Sequence, residues 1–173
     1  MRKSIALIVL VTLTFLSGCN KPDKSAIIKS LYTTSKIATD FGLEKWYKTK
    51  PDGSVECAKT LMKNIDEVLL PYLNGGTLPT STEVQTFLKS SLFKNVDPEI
   101  KDILKTASLA LDAFLPVPSS ESYLTADEID YIKSFLSGVK DGCKQFLSDI
   151  KSNNNNAKTK ELKVNKNARW LSD

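Results

Sequence analysis

The residues best suited to chemistry in this sequence are its three cysteines, Cys19, Cys57 and Cys143. A cysteine thiolate acts as a nucleophile or metal ligand, and a thiol can also be acylated or oxidised to a disulfide. The chain contains no histidine, the commonest metal ligand and the usual base beside a nucleophile. No two cysteines have the C-x-x-C spacing of a redox motif. We therefore predict a protein that is not an enzyme and that holds no metal or cofactor.

Cys19 directly follows a segment with the composition of a signal peptide. Arg2-Lys3 gives a positive start, and 5–16 is an apolar run that ends in Leu16-Ser17-Gly18-Cys19. This run is shorter than the about 20 apolar residues that a membrane-spanning helix needs. The pattern predicts a signal peptide over 1–18, and the alternative is an uncleaved anchor helix or an ordinary buried helix.

Leu16-Ser17-Gly18-Cys19 resembles the lipobox of bacterial lipoproteins and matches it at all four positions. The resemblance implies a diacylglycerol on the Cys19 sulfur, cleavage before Cys19, and acylation of the new amino terminus by a fatty acid such as palmitate. Two or three acyl chains hold a protein on a membrane, whereas one chain binds marginally. Asn20, where lipoproteins retained at the inner membrane commonly have Asp, favours the outer membrane, facing the periplasm, in a two-membrane host.

Cys57 and Cys143 remain as an even pair in a chain that this resemblance assigns to an oxidising compartment. We expect them to form a disulfide that closes a loop of 86 residues (143 minus 57). In the chain-entropy model, such a bridge stabilises the fold by about 4–5 kcal/mol. The alternative is two buried thiols that behave as small apolar side chains.

The mature chain is predicted to be all-α: a tether over 19–23, one bundle of about five helices over 24–150, and a disordered basic tail over 151–173. We found no alternating strand pattern and no internal repeat. The first helix is expected over 24–47, with Pro51-Asp52-Gly53 as the turn that follows and Ser54 as the cap of the second helix. The apolar residues of the first helix are Ile27, Ile28, Leu31, Tyr32, Ile37, Ala38 and Phe41.

Later helices are indicated by caps and by apolar spacing. Thr80 to Glu83 and Thr125 to Glu128 each have the capping-box form, and Pro98 suits a first helical position after Asp97. Pro71 is expected to loosen the end of the second helix. The expected core stripes are Cys57, Leu61, Ile65, Leu69 and Tyr72 on the second helix and Ile129, Ile132, Leu136, Val139, Cys143, Phe146 and Ile150 on the last.

The tail carries the positive charge of the chain. Residues 151–173 contain six Lys or Arg against two acids, whereas 19–150 contain 16 basic and 18 acidic residues, so the bundle itself is slightly acidic. We therefore predict no nucleic-acid partner. Arg169 and Trp170 mark a possible contact with anionic lipid or a partner, against the alternative of a solvated tail.

Three functional hypotheses are compatible with these features. The first is a lipid-anchored envelope protein whose helices bind another envelope protein or have a structural role. The second is a carrier or sensor of a small hydrophobic ligand, and the third is an immunity or exclusion lipoprotein of mobile-element origin. Trp46-Tyr47 belongs to the core or its rim, or else marks an edge that binds protein.

Overall fold

The computed structural model describes residues 23–75, 79–92, 96, 98–115 and 123–168, some of them, including 154–168, by their backbone alone. The predicted all-α fold is confirmed, and the signal peptide over 1–18, Cys19, Asp97, and Arg169-Trp170 lie outside the described residues. None of the helices in the described ranges has the combination of length and hydropathy that crossing a bilayer requires. The helices are α1 (Lys24–Tyr47), α2 (Pro51–Asn64), a π-helical segment (Ile65–Leu69), α3 (Leu70–Asn74), α4 (Ser81–Leu92), α5 (Pro98–Asp112) and α6 (Ala126–Ala168).

The π segment joins α2 to α3 without a break, so the described chain forms five continuous helical stretches, as the sequence predicts. Both predicted capping boxes are formed. The Thr80 N–H donates to Glu83 Oε2 at 2.9 Å and the Glu83 N–H to Thr80 Oγ1 at 3.2 Å. At the start of α6, the Thr125 N–H donates to Glu128 Oε2 at 2.7 Å and the Glu128 N–H to Thr125 Oγ1 at 3.3 Å. These bonds pair backbone donors that the first turn of a helix leaves open.

One predicted cap is wrong. α2 begins at Pro51, one turn before Ser54, and the Ser54 hydroxyl donates to the Pro51 carbonyl at 2.8 Å instead of capping. Proline suits a first helical position because its fixed φ is already helical and its missing N–H would have no partner there. Pro51-Asp52-Gly53 is therefore the first turn of the helix rather than a loop.

α6 packs most extensively on α1, and α1 also contacts α5 and α2. The predicted stripe on α6 is confirmed: six of its seven residues are buried, and Ile150 at its end is partly buried. Phe135 and Phe146 are the largest fully buried side chains. Each contributes about 1.5–3 kcal/mol by leaving water, so α6 is the centre of the core.

The predicted stripe on the second helix is confirmed at its first four positions and wrong at Tyr72. Tyr72 is 37% exposed, and Leu73 is buried in its place. The π segment lies immediately before this point, and its i to i+5 bonds put more residues into a turn than an α-helix has. Pro71 has no N–H to donate to the ladder, which favours such a bulge. The buried face is thereby moved one residue along the chain.

α1 buries several polar side chains and leaves two of its large apolar side chains exposed. Ile37 and Phe41 are 46% and 47% exposed, whereas Ser35 and Thr39 are fully buried. The Ser35 hydroxyl lies 2.9 Å from the Phe135 carbonyl oxygen on α6. The apolar pattern of α1 therefore predicted the helix, and its residues are buried at Ile27 and Leu31 but exposed at Ile37 and Phe41.

α6 continues to Ala168, past Ile150, where we placed the end of the bundle. The side chains of 151–153 are exposed. The mobility expected for 151–173 stays a prediction.

Candidate functional site

The two cysteines expected to form a bridge both lie in the core, Cys57 on α2 and Cys143 on α6. Cys57 is 6% exposed and Cys143 is fully buried. They are not bonded to each other in the structure. Burial raises the pKa of the Cys143 thiol, and the nearby Cys57 and Asp40 raise it further. The pair therefore matches the alternative of two buried thiols that behave as small apolar side chains, and the disulfide stays a prediction.

A surface cleft lies where the end of α1 meets α6. Its volume is about 270 Å³, and its wall includes the rings of Tyr47 and Phe146 and the side chain of Ile150. The two rings meet edge to face, with centroids 5.8 Å apart. Glu44 and Asp149 also line the cleft, together with Lys48 and Asn153. The cleft thus combines an apolar wall with two carboxylates.

Asp40 lies beside the two carboxylates of the cleft. Oxygens of Asp40, Glu44 and Asp149 all come within 4.8 Å of one another. Gln145 fixes Asp149, since its side-chain nitrogen lies 3.1 Å from each carboxylate oxygen. One oxygen of Asp40, Oδ1, is buried and has no hydrogen-bond partner among the described residues.

Electrostatics at this cluster favour a positive ligand. Burial raises the pKa of the Asp40 carboxyl, the Glu44 and Asp149 carboxylates raise it further, and Lys36 opposes the shift. Like charges this close destabilise one another unless a cation lies between them.

The helix pair that builds the cleft is held at close range by two glycines of α6. A Cβ on Gly142 would lie 2.6 Å from the Lys36 carbonyl oxygen and 3.2 Å from the Asp40 nitrogen. A Cβ on Gly138 would overlap Ser35. Since only hydrogen fits at these positions, α1 and α6 come together closely, which brings Asp149 to Asp40 and Glu44.

Polar contacts fix the register of the same pair. The Tyr32 hydroxyl donates to Asp141 at 2.9 Å, and the Ser134 hydroxyl donates to the Ile28 carbonyl at 2.7 Å. At the start of both helices, Lys24 pairs with Asp127 at 2.6 Å and Asp130 at 2.7 Å. These contacts set which turn of α6 faces the acidic end of α1.

A second surface groove lies between α3 and α4. Tyr72 and Phe87 face each other with ring centroids 4.6 Å apart, beside an open groove of about 350 Å³. Glu83, the one charged residue in its wall, is engaged in the cap of α4. The only charged side chain in this wall is already bonded to Thr80, so the α1–α6 cleft, with two carboxylates in its wall, is the stronger candidate.

Sequence reasoning missed this cleft. Asp40 and Glu44 are one turn apart on α1, a visible like-charge pair, but nothing local connects them to Asp149. Trp46 and Tyr47 are both partly buried against the core, as expected for its rim. Comparison of the chain with protein-family models, with curated proteins and with solved structures finds no match. The site is therefore argued from its own residues.

Proposed function

We propose that this chain is a lipid-anchored protein of a bacterial cell envelope, with a helical domain that binds another envelope protein and has no catalytic role. The observation that carries the proposal is Leu16-Ser17-Gly18-Cys19 behind its apolar run. Acylation of Cys19 would fix the protein to a membrane by two or more chains. Outer-membrane attachment, facing the periplasm, follows from Asn20 in a two-membrane host.

The distance between anchor and domain supports this arrangement. α1 begins at Lys24, five residues after Cys19. At about 3.3–3.6 Å per fully extended residue, five residues span at most roughly 16–18 Å, so the start of α1 stays close to the proposed anchor. α1 rises about 1.5 Å per residue, so Glu44 lies about 30 Å further along the helix. The cleft therefore lies at the end of α1 opposite the tether, which supports access by a periplasmic protein.

Exposed apolar residues support binding to protein. Ile37 and Phe41, 46% and 47% exposed, are four residues apart and therefore neighbours on one face of α1. Aromatic residues with apolar neighbours are typical anchors of protein interfaces. The carrier and immunity hypotheses stay open, and no described feature favours either over a protein-binding role.

The test is affinity purification of the tagged full-length chain from crosslinked envelopes. We expect the protein in the membrane fraction together with one partner in stoichiometric amount. Cys19→Ala should release the chain from the membrane fraction, because it removes the acylation site. A Cys19→Ala chain that stays on the membrane, or an acylated chain that captures no partner, would count against the proposal.

A further inference from the structure

We infer that the cleft between α1 and α6 binds one arginine or lysine side chain presented by a protein partner. The inference rests on the proposed function and names the chemistry of the partner. The cleft of about 270 Å³ is near the lower end of the roughly 300–1,000 Å³ typical of sites for small organic ligands. It is more than a bare metal ion needs and is suited to one long side chain.

The wall of the cleft matches the two parts of such a side chain. Tyr47, Phe146 and Ile150 provide an apolar surface for an aliphatic stem. Glu44 and Asp149 provide carboxylates for the charged head. Arginine and lysine bury their stems against apolar surface while their charge meets water or an acid. A charged donor at a carboxylate makes a stronger hydrogen bond than a neutral one.

The charges at the cleft favour a cation. Asp40, Glu44 and Asp149 are close together and acidic, whereas Lys48 lines the cleft and Lys36 partly offsets the raised pKa of Asp40. Asp40 Oδ1 has no hydrogen-bond partner among the described residues. A guanidinium or ammonium group at Glu44 and Asp149 would reduce the repulsion that all three carboxylates share.

Two features favour a protein as the source of the cation. The cleft is at the end of α1 away from the tether, so membrane headgroups do not reach it while the domain projects from the anchor. Phe41 lies three residues before Glu44, on the neighbouring turn, and is 47% exposed. A partner segment that places a basic side chain in the cleft can therefore cover Phe41 with an adjacent apolar residue.

The test is a titration of the purified full-length protein with the peptide acetyl-Gly-Arg-Gly-amide. Binding is measured by the NMR chemical shift of an Ile150 methyl group. We expect a saturable shift that weakens with added salt. The same peptide with citrulline in place of arginine keeps the shape but not the charge, and it should bind at least about tenfold more weakly. Equal binding of both peptides, or no shift with arginine, would overturn the inference.

Glu44→Gln and Glu56→Gln form a matched pair, because both remove one charge from an exposed glutamate of a helix. Glu44→Gln should weaken arginine-peptide binding at least about tenfold, and Glu56→Gln should leave it unchanged. Equal melting temperatures of the two variants would exclude misfolding as the cause.

Two outcomes would assign the cleft to another occupant. A shift of the Ile150 signal with Ca²⁺ but not with the arginine peptide would overturn the assignment in favour of a metal site. If Arg169→Gln makes the peptide bind more tightly, Arg169 competes with the peptide, and the occupant of the cleft is the C-terminus of the chain itself rather than a partner.

The same two variants separate this inference from the proposed function. In crosslinked envelopes, Glu44→Gln should stay in the membrane fraction and lose the partner, whereas Glu56→Gln keeps it. If the native protein from envelopes carries no lipid on Cys19 but still binds the arginine peptide, the inference stands and the proposed function is contradicted. Partner capture that is equal for Glu44→Gln and Glu56→Gln would contradict the inference alone.

Discussion

Gly142 of α6 lies so close to Lys36 of α1 that a Cβ at Gly142 would be 2.6 Å from the Lys36 carbonyl oxygen. The contact is with backbone, which cannot move aside as the end of a flexible side chain can. Gly138, one turn earlier, meets backbone in the same way, because a Cβ there would overlap the Tyr32 carbonyl oxygen as well as the Ser35 hydroxyl oxygen. The spacing of α1 and α6, and with it the shape of the cleft, depends on these two glycines.

We therefore predict that Gly142→Ala destabilises the protein by about 1–3 kcal/mol, the usual cost of overpacking a core. The intrinsic preference of helices for alanine works in the opposite direction, by about 1 kcal/mol, so a net loss of stability isolates the steric effect. Urea unfolding followed by circular dichroism measures it.

Gly75→Ala is the control for this prediction, since a Cβ there would meet only ordinary contacts, at 3.4 Å from the Tyr72 carbonyl oxygen or more. We expect little change in its free energy of unfolding. If Gly142→Ala is as stable as the native protein, the close approach of α1 and α6 is not as described.

The acidic cluster predicts a pH effect at Asp40. Its pKa is raised by burial first, and then by Glu44 and Asp149. The folded protein therefore binds this proton more tightly than the unfolded chain, whose Asp titrates near pH 4. The stability associated with protonated Asp40 is full below the unfolded pKa and is lost as the pH rises through the raised folded pKa.

Asp40→Asn removes this loss because asparagine stays neutral. We expect its melting temperature at pH 7 to exceed that of the native protein, because the repulsion among the three carboxylates is then reduced. The difference should disappear below pH 4. Asp127→Asn is the control, because Asp127 pairs with Lys24 and gains nothing from neutralisation. A lower melting temperature for Asp40→Asn at pH 7 would contradict the assigned repulsion.

Because Cys57 and Cys143 are buried, we predict that their thiols are alkylated slowly in the reduced, folded protein. At pH 8, iodoacetamide should modify Cys143 only after denaturation, because burial disfavours the thiolate. Rapid labelling without denaturation would show that the core opens locally.

The predicted disulfide requires a separate measurement on protein taken from the envelope. After denaturation without reductant, Cys57 and Cys143 should resist labelling, and both should react once reductant is added. Labelling of both cysteines before reduction would establish the buried thiols that the structure has.

Features fixed by neighbours in sequence were predictable. The capping boxes at Thr80 and Thr125 need only residues three apart, and both are formed. The stripe on α6 was predictable for the same reason, since one helix of regular apolar spacing has one buried side. Ser54 failed as a cap because Pro51 starts the helix a turn earlier, a choice between two local signals of similar strength.

Features that depend on distant partners were not predictable. The apolar spacing of α1 indicated a helix but gave no sign that Ile37 and Phe41 are exposed, because it is the glycines of α6 that make room for Ser35 and Thr39 in the core. The cleft needs Glu44 and Asp149 to meet across two helices that are far apart in sequence. No spacing within either helix contains that information.

The most direct test of the account is the intact mass of the native protein purified from a bacterial envelope. The account predicts a chain that begins at Cys19 and carries the added mass of a diacylglycerol and an N-linked fatty acid. A full-length chain that begins at Met1, with Cys19 unmodified, would contradict the membrane anchor, the oxidising compartment and the envelope role together.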